Sequence, residues 1–129
     1  MPYYYSKRLD NVAFDEAIEK VTAALKEEGF GVLTEIDVKA TLKKKLDVDF
    51  KPYRILGACN PGFAHKALQA EDKIGAMLPC NVIVQQQNSE TIEVSVVDPV
   101  ASMQAVENEG LGKIAGEVRD KLKKVLESI

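Results

Sequence analysis

The stretch Tyr53 to Val84, YRILGACNPGFAHKALQAEDKIGAMLPCNVIV, decides how this chain folds. Its first seven residues alternate, placing Tyr53, Ile55, Gly57 and Cys59 on one face, and predict a strand that stops at Asn60-Pro61. Asn is favoured at the N-cap and Pro at the first helical position. A helix therefore follows, with Phe63, Ala64, Ala67 and Leu68 turned inward. Asp72 to Leu78 reads as a turn or short helical piece. After Pro79, Cys80 to Gln86 predict another strand, with Cys80, Val82 and Val84 on one face. Gly57 carries no side chain, which leaves room for another backbone or a ligand to approach.

Downstream, Ile92, Val94 and Val96 alternate with Glu93, Ser95 and Val97. With the short Asn88-Ser89 turn, this run makes a hairpin with the strand before it. Asp98-Pro99 repeats the cap-then-proline device and starts a short helix through Met103 and Ala105. Leu111, Ile114, Ala115, Val118, Leu122, Val125, Leu126 and Ile129 are the apolar stripe of a long C-terminal helix. Gly110 and Gly112 read as loop punctuation ahead of it. Their G-x-G-x-x-A letters follow the acidic Glu107-Asn108-Glu109 rather than a strand, so they are no dinucleotide fingerprint.

Upstream, the Tyr3-Tyr4-Tyr5 run favours a strand within residues 2–7. Asp10 and Asn11 supply a helix start, and Phe14, Ala17, Ile18, Val21, Ala24 and Leu25 form its buried face up to Gly29. Phe30 to Val38 alternate as a strand. Val38, Leu42 and Leu46 then mark a short amphipathic helix capped by Asp37, whose lysines, with Lys51 and Arg54, form the one basic cluster. The order is strand, helix, four strands with short helices inserted, and a closing helix. This pattern predicts a single α+β domain over residues 1–129, in two layers, with helices on one face of a mostly antiparallel sheet. Such an open five-stranded sheet leaves edges that a homodimer would cover.

The chain has 129 residues, 46% hydrophobic and 29% charged, with a formal net charge of -3. That balance suits a folded domain and argues against general binding to a nucleic-acid backbone, which needs a positive field. No apolar run approaches the roughly 20 residues that span a bilayer, and the N-terminus lacks a signal-peptide pattern, so a cytoplasmic location without membrane contact is expected. In that reducing setting the two cysteines are expected to be free thiols.

If the last three strands run antiparallel, one edge of the sheet gathers Cys59, Asn60, Cys80, Asn81 and Asp98, with His65 one turn into the adjoining helix. These six residues are the candidate ligand-binding site of a small-molecule-binding or regulatory module; none is assigned a catalytic role. Helix N-termini and Asn side chains there would offer donors to a small polar or anionic ligand. The alternative is a thiol- or metal-dependent enzyme, or a sulfur carrier, using Cys59 or Cys80. The spacing from Cys59 through His65 to Cys80 matches no compact zinc motif, and no Cys-x-x-Cys pairs the thiols. Against both stands the plain account: buried thiols as small hydrophobes, Asn60 and Asp98 as helix caps, His65 on a helix surface. No cofactor is indicated.

Gly57-Ala58-Cys59-Asn60-Pro61, Ala64 to Leu68, Leu78-Pro79-Cys80-Asn81-Val82 and Asp98-Pro99, with Gly29-Phe30-Gly31-Val32-Leu33 and Glu35-Ile36-Asp37-Val38 before them, resemble the domain of unknown function 302 family. The resemblance runs over nearly the whole chain. It implies a β-α-β(4)-α arrangement likened to the TATA-binding-protein fold, and no activity, because the family has none established. Fold alone imports no DNA binding. The motif positions fall on Cys59, Asn60, Pro61, Leu78, Pro79, Cys80, Asp98 and Pro99.

Overall fold

Five strands form one antiparallel sheet in the computed structural model, which describes residues 2–129. The strands are β1 (Tyr4–Asp10), β2 (Gly31–Asp37), β3 (Tyr53–Cys59), β4 (Cys80–Gln86) and β5 (Thr91–Val97), in the spatial order β1-β5-β4-β3-β2. The helices are α1 (Phe14–Glu27), α2 (Val38–Leu46), α3 (Pro61–Ala70), α4 (Pro99–Ser102) and α5 (Glu109–Ser128), with a 3₁₀ segment over Asp72–Met77. This is the expected two-layer α+β arrangement.

The layers are held by one apolar seam. Alternation along β4, the central strand, sends Val82 and Val84 to the helical side, where both are fully buried. Leu56 and Ala58 of β3 and Val94 and Val96 of β5 share that side. Residues spaced by three and four along α1 (Ala17, Val21, Ala24) and α5 (Val118, Leu122, Val125) close over them. A second, smaller apolar cluster of Ala67, Ile74 and Leu111 joins α3, the 3₁₀ segment and the start of α5.

Several local expectations give way to longer-range pairing. Asp10 and Asn11 do not start α1. Pairing of β1 with β5 continues to Asp10↔Thr91, Asn11 turns the chain with a φ of 58°, and α1 begins at Phe14 without a side-chain cap. The helix expected to run through Ala105 stops at Ser102. Gly110 and Gly112 lie inside the first turn of α5 rather than in a loop, because Asn108 caps that helix. Its Oδ1 accepts from the Gly110 amide at 3.0 Å, and its Nδ2 donates to the Ala70 carbonyl at 2.7 Å. One side chain thus starts α5 and ties it to the end of α3.

Gly57 is not an approach point for a ligand. A Cβ there would run into Thr34 Oγ1 and lie 2.8 Å from Cγ of Pro79. These two side chains already fill the space.

The Asn108 link is testable by urea unfolding. Asn108→Ala is expected to cost about 1–2 kcal/mol, the worth of a cap plus a side-chain hydrogen bond. Asn108→Ser keeps a capping oxygen and should recover about half of that loss. Midpoints equal to that of the parent chain for both variants would remove the link from the account.

Candidate functional site

The antiparallel register brings the predicted strand ends together. Ala58 pairs with Cys80, and Val82 with Val96, so the end of β3, the start of β4 and the end of β5 lie side by side. Around this end, α3, α5, the cis Leu78-Pro79 peptide and Pro99 of α4 enclose a cavity of about 280 Å³. Its floor includes Ala58, Cys59 and Cys80; its walls include Phe63, Ala64 and Ala67 of α3 and Ile114, Ala115 and Val118 of α5. The side chains facing each other across α3 and α5 include three alanines, and small residues at a helix crossing leave the space open.

Three of the six predicted residues line the cavity and three do not. Cys59, Asn60 and Cys80 border it. His65 is exposed on the outer side of α3. Asn81 follows Cys80 directly, so alternation turns it to the opposite face of the sheet, where it borders a separate groove. Asp98 is buried and already engaged. Its Oδ1 accepts from the Val100 amide at 2.9 Å, capping α4, and its Oδ2 accepts from the Tyr5 hydroxyl at 3.2 Å.

Asn60 precedes α3, as expected, yet its side chain does not cap that helix. Its Nδ2 instead donates to the Glu28 carbonyl at 3.4 Å, linking α3 to the end of α1. Gly29 makes this possible, since its φ of 86° and bare Cα let the Asn60 amide approach; a Cβ would sit 3.1 Å from Nδ2. The first-turn amides of α3 are left without a side-chain acceptor beside the cavity.

Electrostatically the site is quiet. Burial pushes the Cys80 thiol up to about 11, and the nearby Cys59 adds to the shift, so Cys80 is a neutral thiol at physiological pH. Both cysteines are free. No group of three or more His, Cys, Asp and Glu side chains able to hold a metal ion lies together among the described residues.

Leu33 is a cavity residue that sequence reasoning missed. The β2–β3 register shifts between Val32 and Thr34, and Leu33, 69% exposed, stands at the cavity mouth. A period-two pattern carries no mark of such a bulge. Ile114, Ala115 and Val118 were legible as the apolar stripe of α5, but nothing in a stripe separates core from cavity wall.

Fold and site together define a two-layer α+β domain with a small apolar cavity at one end of its sheet. The chain belongs to the family Domain of unknown function DUF302, whose sequence model matches residues 5–129. It is similar to the protein in the "Crystal structure of uncharacterized conserved protein DUF302 from Bacillus stearothermophilus". The two share 30% sequence identity over 99% of this chain and 98% of that one, with a TM-score of 0.90. No curated protein matches. No helix among the described residues is long and apolar enough to cross a membrane.

The state of Cys80 can be read by alkylation. At pH 8 Cys80 should react about 100-fold more slowly than a thiol with the ordinary value of 9.0, with a rate that rises about tenfold per pH unit toward pH 10. Labelling at the rate of the unfolded chain would contradict the burial assigned to this thiol.

Proposed function

We propose that this chain is a small-molecule-binding module whose ligand is a compact amphiphile, its apolar body seated in the cavity between α3 and α5. The carrying observation is the lining: apart from the Asn60 side chain and two thiols, every residue around the cavity is aliphatic, aromatic, Met or Pro. Apolar pockets with a few placed polar groups are the usual form of a small-ligand site. The volume, about 280 Å³, lies near the lower end of that class, and a cavity about half as large already accepts benzene. The ligand is therefore small, on the order of ten to fifteen non-hydrogen atoms.

The polar or anionic character expected of the ligand belongs at one end only. The first-turn amides of α3, uncapped because Asn60 faces α1, favour a carboxylate or similar group beside Asn60. A raised Cys80 pKa and the scattered placement of His65, Asn81 and Asp98 weigh against thiolate or metal chemistry at this end of the sheet.

The test is a titration with a small neutral apolar fluorophore such as naphthylamine, followed by competition. Saturable one-site uptake is expected, with octanoate displacing the probe more effectively than octanol. An Ala64→Trp chain, which fills the space from the half-buried face of α3, should lose uptake while keeping its circular dichroism. Absence of saturable uptake, or full uptake by the folded Ala64→Trp chain, would end this reading.

A further inference from the structure

The face of the sheet turned away from α1 and α5 is built to meet another surface. Ile36, Ile55 and Ile83 stand in register across β2, β3 and β4, an unbroken apolar row continued by Ser95 and Ser6, whose hydroxyls lie 2.6 Å apart. Tyr53 on one side and Tyr4 on the other flank a groove of about 410 Å³ that runs past Ile83 and Val97. Ile36 and Tyr4 are close to half exposed. The charged strand residues on this face are Arg8, Asp10 and Glu93, all on β1 and β5; Arg8 lies directly opposite Glu93, which borders the groove. There is no lysine. Loss of charge with enrichment in Tyr marks the centre of a protein interface rather than a solvated face.

From this geometry we infer that the face pairs with the same face of a second copy of this chain. Three observations select a second copy. The isoleucine row and its flanking tyrosines carry no charge, and in a two-fold pairing the Arg8 of one copy meets acidic residues, Asp10 and Glu93, on the same face of the other, so the face offers both signs of charge to itself. Strand spacing and rise give an area of roughly 24 Å by 23 Å, or roughly 550 Å² per copy, and two such faces together clear the ~1,000 Å² that a specific interface needs. The sheet edges, by contrast, are protected. β2 carries the bulge at Leu33, and β1 points Lys7 inward, where its ammonium donates to the Ile129 carbonyl. Association therefore proceeds through the face and not by edge pairing. The isoleucine row lies over the middle strands of both copies in an isologous, two-fold arrangement.

Sedimentation velocity at about 50 µM tests this with the full chain. The parent chain should sediment at twice its 14.2 kDa mass. Ile36→Lys/Ile55→Lys should sediment as a single chain, its dimer weakened by at least about tenfold, with circular dichroism unchanged. Ile36→Lys alone, placed on an edge strand at a half-exposed position, serves if the double variant fails to fold, and it should also weaken the dimer. A parent chain of single mass at this concentration, including one that associates only with other proteins, overturns the inference. So does a dimer that survives in the folded variants.

Discussion

The row Leu56, Val82 and Val96, paired across β3, β4 and β5 and buried beneath α1 and α5, is the constraint on which this structure depends. Strand side chains alternate, so a slip of one residue along β4 would carry Val82 and Val84 from the helical side to the outer face and leave the helices nothing to bury. Burying such a Val is worth about 1.5–3 kcal/mol, enough for this row to fix the register of the central strands. Everything at the cavity end follows from that register. Cys80 is one alternation from Val82 and turns inward, Asn81 turns outward, and Ala58 lies opposite Cys80.

Much of this was legible in the sequence. β3 and β4 occupy the residues that alternation predicted, Asp37 and Asp98 cap α2 and α4 through their own carboxylates, and Asn88 forms the β4–β5 turn by accepting from the Glu90 and Thr91 amides. These features are encoded within a few residues. What escaped reading depends on partners far along the chain. Asp10 carries a helix-start signal but is claimed by Thr91, and Asn60 carries a capping signal but is claimed by Glu28. In both cases a tertiary partner outcompetes the local one. The candidate site divides on the same principle. Strand ends can be aligned from topology, so the gathering of Cys59 and Cys80 was readable, and the plain account already put His65 on a helix surface, whereas the partner that the Asn60 side chain faces was not readable.

The cavity is a cost the fold carries. Interiors pack densely and empty space weakens them, so selection for stability alone favours larger residues at Ala64, Ala67 and Ala115. The short side chains of the opposed alanines leave space between α3 and α5 at the point where two thiols and an uncapped helix start meet. The proposed ligand, with an apolar body and one polar end, would recover the lost contacts and satisfy the free amides at the same time. The outer face of the sheet presents a separate surface, ridged by isoleucine, with its charged strand residues confined to β1 and β5.

The central claim, that the cavity is where a small amphiphile binds, is tested most directly by amide NMR of the ¹⁵N-labelled chain titrated with octanoate. Saturable shifts concentrated on Ala64, Ala67, Ile114, Ala115 and Cys80, with the Gly62 and Phe63 amides moving as the carboxylate reaches the start of α3, are the predicted result. Shifts centred instead on Tyr53 and Ile83 of the outer face, or none that saturate, would contradict it.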